Sequence, residues 1–278
     1  MGIFFAGLSA LLYGTADFSG GLASRRSPVI GVLVISQILG LIIALIAAPL
    51  LGWTRVTPPD LLWGAAAGLT GAFGLAYLYK GLAEGFVAIV APLAAVIGAA
   101  VPVLGGVLLG EMPGVTGWIG IAVSTPAIFL LAYEPGAHLE RTRMLTSMYC
   151  GAIAGIAFGA FFILISRPAE ASGFWPIVSS RTASVVVVSI LARLQGRSIR
   201  IARESIPAVA VTGSFDTAAN IAFVISARLE LLPIVSIISS LCPGPTVLLG
   251  RFVLGEYLTA NRIAGLVLAL FGVAMLSI

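Results

Sequence analysis

Ten apolar runs, each close to the length of a membrane span, fill this chain almost from end to end: 2–22, 29–52, 60–82, 86–109, 115–133, 145–166, 174–194, 204–226, 231–252 and 260–278. Roughly 20 apolar residues in a helix match the hydrocarbon thickness of a bilayer. In lipid every backbone N–H and C=O needs an internal partner, which only helices and closed barrels provide. The runs are long and lack the alternation of barrel strands, so they are read as helices. Ser27-Pro28, Pro58-Pro59, Pro113-Gly114, Pro135-Gly136 and Gly196 punctuate them. Only 9% of the residues are charged, against about 25% in a soluble domain, too few to cover a water-facing surface. The expected fold is an all-α integral membrane protein with ten transmembrane helices. Such spans use the whole 278 residues and leave no room for an extramembrane catalytic domain. The opening run has no basic residues before it and two arginines, Arg25 and Arg26, after it. A retained first helix is therefore expected rather than a cleaved signal peptide.

The polar connection 134–144 divides the chain into 1–133 and 145–278, five runs each. A gapless shift of 145 residues brings Gly14 onto Gly159, Gly68 onto Gly213 and Ile89-Val90 onto Ile234-Val235. It also brings Leu109-Gly110-Glu111 onto Leu254-Gly255-Glu256. Matches among Ala, Gly, Leu and Val are cheap in apolar sequence. The Leu-Gly-Glu match is not, because glutamate is rare here and falls twice at the same helix junction. An odd number of spans per half makes the second half enter the membrane from the opposite side. Two inverted five-helix repeats are expected, with a site between them near the midplane.

With the two five-run halves, the paired Leu-Gly-Glu at 109–111 and 254–256, and the start Tyr13-Gly14-Thr15-Ala16-Asp17-Phe18, the chain resembles the EamA family of the drug/metabolite transporter superfamily. The resemblance covers essentially the whole length and is specific for fold and transport, not for substrate. It implies export of amino acids or other metabolites or drugs. It implies a cavity lined by the first four helices of each half, with 115–133 and 260–278 as supports. It also implies cytoplasmic termini, and here the charges disagree. Leaving out Arg181, eleven of the Lys and Arg residues lie in loops or at span ends on one side, among them Arg25, Arg26, Arg141, Arg143 and Arg262. Three, Arg55, Arg167 and Arg228, lie on the side of the amino terminus. The positive-inside rule places both termini outside a cell's inner (plasma) membrane. The net charge of +4 thus reports topology, not a nucleic-acid partner.

An ionisable group inside a span costs about 2.5–3.5 kcal/mol on insertion scales and belongs at a cavity or a partner. Asp17, Arg181 and Asp216 are such groups. At about 1.5 Å per residue they lie roughly 12, 20 and 17 Å from the basic side, so Arg181 and Asp216 can pair. That pair is either a static helix lock or a site in which Arg181 holds an anionic group and Asp216 a proton or ammonium. Asn220 shares a helix face with Asp216, and Tyr13 with Asp17. Gln37 and Ser36, at mid-span, can add hydrogen bonds; of Tyr77 and Tyr79 at most one faces inward, and Tyr77 is taken as that one. The expected substrate-binding set is Tyr13, Asp17, Gln37, Tyr77, Arg181, Asp216 and Asn220.

Pro92, Pro102 and Pro233, together with Cys242-Pro243-Gly244-Pro245, are expected to interrupt the fourth and ninth spans. Pro92, Pro102, Pro243 and Pro245 are taken as hinge or gate residues. Glu111 and Glu256 are expected to accept from helix-end N–H groups. Trp63 and Trp175 are read as interfacial anchors, Lys80 and Glu84 as a solvated pair, and His138 as loop surface. Cys150 and Cys242 are read as packing residues. No phosphate-binding glycine loop, metal-spaced cluster or nucleophile with a histidine base is present, so no enzyme, cofactor or metal is expected. The reading is a secondary transporter that exports or exchanges small amphipathic metabolites, amino acids first, by alternating access, with possible proton coupling through Asp216 or Asp17. A multidrug or cation exporter, and a lipid-handling or non-transporting membrane subunit, remain as alternatives.

Overall fold

The structure is a computed structural model that describes residues 1–84, 87–133 and 141–278. His138 and most of the connection between the halves lie outside the described residues, as does the Glu84 side chain. Among the described residues there is no strand. The helices are α1 (Gly2–Ser24), α2 (Val29–Leu50), α3 (Pro58–Glu84), α4 (Val87–Leu108), α5 (Val115–Ala132), α6 (Arg141–Ile165), α7 (Trp175–Leu194), α8 (Ile206–Leu229), α9 (Leu232–Ser239), α10 (Pro243–Leu254) and α11 (Ala260–Leu276). Among the described residues eight stretches are long and apolar enough to cross a membrane: α2 to α8 in whole or in large part, and Leu232–Leu254, which holds α9 and α10. The last helix is apolar but has 17 residues, and α1 is not among the eight.

Prolines break only one expected span. α4 runs on through Pro92 and Pro102, which are fully buried. Each of these removes a single ladder donor, and packed neighbours hold the helix together. Pro233 stands in the first turn of α9 and starts that helix, where a missing N–H costs nothing. Pro243 and Pro245 remove two donors within three residues, with Gly244 between them. There the helix stops at Ser239 and restarts at Pro243.

The extensive helix packing runs between the sequence halves rather than within them. α1 lies on α8, α9 and α10, while α6 lies on α3 and α4. α2 meets α7 and α8, α3 meets α7, α4 meets α9, and α5 pairs with α11. Small residues let the backbones approach, as van der Waals packing in lipid requires. At Gly68 a Cβ would collide with the Ser180 backbone carbonyl, and the Ser184 hydroxyl donates to the Gly68 carbonyl at 3.0 Å. That α3–α7 contact fixes the height of Arg181, the next residue along α7.

Candidate functional site

A cavity of about 510 Å³ lies between the helices. Its two walls differ in chemistry. On one wall stand Tyr13 and Asp17 of α1, Asp216 and Asn220 of α8, and Ser239, Ser240 and Cys242 at the α9–α10 break. On the facing wall stand Phe158, Phe161 and Phe162 of α6, Gly71, Leu75 and Leu78 of α3, and Ala91, Ala94, Ala95 and Gly98 of α4. Gln37 and Arg181 border both. The shift of 145 residues maps one wall onto the other: Tyr13 onto Phe158, Asp17 onto Phe162, Gly71 onto Asp216, Leu75 onto Asn220, Ala94 onto Ser239. At these shifted positions one wall carries polar residues where the other carries apolar ones.

Arg181 is the centre of the polar wall. It is buried, and its Nη1 donates to Gln37 Oε1 at 2.7 Å and lies 2.5 Å from Asp216 Oδ2. Its Nη2 is buried without a hydrogen-bond partner. A guanidinium carries five donors, so donor capacity is left over beside the cavity that Arg181 borders. Asn220 is turned by its own helix: Nδ2 donates to the Asp216 carbonyl at 2.7 Å. The Tyr13 hydroxyl is buried and unpartnered, within electrostatic reach of Asp216, Arg181, Cys242 and Asp17. Asp17 is exposed to the cavity and lies against the Cys242 thiol.

Six of the seven expected substrate-binding residues therefore stand together, and Tyr77 does not. The cavity face of α3 is Gly71, Leu75 and Leu78. Tyr77 lies off that face, its ring 4.7 Å from Phe73 and 6.3 Å from Tyr149, both of which are exposed. Of the hinge set, Pro243 borders the cavity, and Pro245 lies where α1 passes the break at Gly14. Pro92 and Pro102 are packed inside α4. Cys242 is a cavity residue rather than packing alone, and Ser239 and the α6 phenylalanines also went unassigned in the sequence. The α1 register shared by Asp17 and Phe162 under the repeat shift is the signal that could have found the latter.

The two ends of the bundle differ. At the end carrying Gly2, Ser226 Oγ donates to the Gly2 carbonyl at 2.7 Å, and Arg228 Nη2 to the Gly173 carbonyl at 2.6 Å. The Ala169 N–H donates to Asp60 Oδ1 at 2.8 Å. Trp53 and Trp175 meet edge to face at 6.1 Å. None of these residues borders the cavity. Toward the other end the cavity lining reaches Leu131, Ala132 and Arg262. There a second cavity of about 300 Å³ shares Asp17, Thr246, Val247 and Arg262 with the first. Its mouth is held by Glu256, 3.4 Å from Arg25 and 3.8 Å from Arg262.

The sequence profile of the EamA-like transporter family matches residues 1–133. Residues 1–133 belong to the EamA-like transporter family. The EamA-like region comprises α1 to α5, and with the eight apolar helices it makes the chain a multi-pass membrane protein. Among solved structures 29 chains match. One crystal structure is similar at a TM-score of 0.79 and 16% identity, covering 99% of this chain and 95% of that chain; the likeness shows the fold. No curated protein matches the chain.

Proposed function

We propose that this EamA-like protein is a secondary transporter that exports or exchanges small amphipathic metabolites, amino acids first among them. The observation that carries the reading is the buried, unpartnered Arg181 Nη2 in a cavity whose opposite wall is apolar. An anionic group docks on Nη2, where a charge-assisted bond is strongest. An ammonium group takes the edge formed by Asp216 and the Asn220 amide oxygen. The apolar part of the solute lies on Phe158, Phe161 and Leu75. Binding that competes for Asp216 loosens the α7–α8 ion pair and so couples occupancy to helix movement.

Alternating access follows from the architecture proposed for the two halves, inverted repeats at 1–133 and 145–278. The packing supports it: exchanging each helix for its repeat counterpart turns α1 on α8 into α6 on α3, and α2 on α8 into α7 on α3. The pairs α2 with α7, α4 with α9 and α5 with α11 map onto themselves. The chain is drawn closed at the Gly2 end and open toward Arg25, and the break at Pro243 and Pro245 serves as the hinge. Its basic loops support a cytoplasmic Arg25 end.

Solute flux in proteoliposomes, with a labelled amino-acid mixture, tests the reading. Saturable flux in wild type that Arg181→Gln loses while remaining monodisperse is expected. Flux that persists in Arg181→Gln but disappears in Asp216→Asn would support the cation-exporter reading instead. Lipid movement without solute flux would support a lipid-handling protein.

A further inference from the structure

The polar wall carries one arginine and two aspartates, and the arginine is taken by Asp216 at 2.5 Å. Asp17 lies close enough to Asp216 for their charges to interact, and among the described residues no Lys or Arg pairs with it. Arg262 borders the same cavity but is held by Glu256 at 3.8 Å, so the cluster of Arg181, Asp216 and Asp17 holds one carboxylate more than it has cations. Beside that carboxylate the helix is broken. Pro243 carries no N–H, so the Ser239 carbonyl four residues earlier loses its ladder donor. The Ser239 hydroxyl borders the same cavity, is 1% exposed, and has no hydrogen-bond partner. α1 is pressed onto the break at Gly14, where a Cβ would collide with the Cys242 carbonyl. The Thr246 hydroxyl holds this contact by donating to the Gly14 carbonyl at 2.9 Å.

The geometry points to a binding site for a monovalent alkali cation, sodium being the ion to test, between the Asp17 carboxylate and the helix break after Ser239. The donors are hard oxygens: the carboxylate, the unpartnered Ser239 and Tyr13 hydroxyls, and the carbonyl freed by Pro243. Hard cations take such sets, and discontinuous membrane helices use unwound carbonyls in this way. One uncompensated carboxylate matches one positive charge, while a divalent ion would call for more acidic ligands. The site lies beside the Arg181 pocket without using its donors, so it does not depend on which solute is carried. Cation binding would pin α1 to the break and so tie occupancy to the hinge.

Cys242 is a built-in reporter, because its thiol lies against Asp17. Purified wild-type protein is alkylated with a maleimide at fixed pH, with sodium chloride replacing choline chloride at constant ionic strength. Modification of Cys242 is read by peptide mass, which separates it from the buried Cys150. Sodium is expected to slow alkylation at least threefold and saturably. Ser239→Ala should raise the half-protecting concentration severalfold, and Asp17→Asn should abolish protection. Equal rates in sodium and choline at every concentration would overturn the site, as would undiminished protection in Asp17→Asn. If Asp17→Asn does not fold, wild type and Ser239→Ala decide. The readout needs no transport, so failure of the flux experiment and failure of this one are distinct.

Discussion

Glu111 Oε2 accepts the backbone N–H of Leu232 at 2.6 Å, so the junction that ends α4 caps the start of α9 across the interface between the two halves. In the first turn of α9 Pro233 has no N–H, the Ile234 and Val235 N–H groups donate to the Leu231 carbonyl at 3.0 Å, and Leu232 is the donor left without a helical acceptor; a carboxylate at a helix start also meets the positive end of its dipole. A cap of this kind contributes about 1 kcal/mol.

Glu111→Ala is expected to lower the thermal midpoint of the purified protein by about 2–4 °C, the scale for 1 kcal/mol in a chain of this size. Glu111→Gln keeps an acceptor and should recover most of the loss. Equal destabilisation by both variants would mean that the charge, not the cap, is what matters.

The ion pair at the centre of the site gives a thermodynamic cycle. Asp216→Asn leaves Arg181 in its buried position without a carboxylate. Breaking a fully buried pair costs about 3–5 kcal/mol, and less is expected here because the Asp216 side chain is 32% exposed. Adding Arg181→Gln should restore part of the lost stability, since no unpaired charge then remains. Chemical denaturation of the two single variants and the double variant measures this. Purely additive losses would show that the pair is not coupled.

Gly68 sets the height of Arg181. A side chain there strikes the Ser180 carbonyl, and overpacking of this kind costs about 1–3 kcal/mol. Gly68→Val should lower stability by that order and reduce solute flux, whereas Gly21→Ala, where a Cβ meets nothing within 4 Å, should change neither. Intact flux in a stable Gly68→Val protein would sever the link between this contact and the site.

The apolar wall should set which solutes are preferred. Phe161→Ala removes a ring that borders the cavity, and a change in such a pocket discriminates by about 10–200-fold per methylene. The variant is expected to lose affinity for solutes with a large apolar part and to bind glycine-sized ones as before, read from competition against labelled flux. A uniform loss for all solutes would indicate that the ring serves packing alone.

Much of this was legible in the residues. Span lengths follow from bilayer thickness, and Arg181 and Asp216 could be matched by counting helical rise from the same side. Glu111 was recognisable because charge is rare and falls at a junction. The direction in which a side chain points was less accessible. When a helix is apolar all round, periodicity does not reveal its inner face, and so Tyr77 was assigned to a cavity that its helix turns away from it. Cys242 reads as a packing residue in the sequence and Ser239 carries no signal there, whereas the break at Pro243 places both at the cavity. The proline signal was read equally in α4, where one missing donor at a time did not stop the helix.

Counterflow isolates the central claim most directly. Proteoliposomes preloaded with an unlabelled amino acid are given the same compound in labelled form, for wild type and for Arg181→Gln. Transient accumulation of label in wild type, absent from a folded Arg181→Gln protein, is the expected result. Equal accumulation in both would contradict the assignment of Arg181 as the anchor of the solute's anionic group.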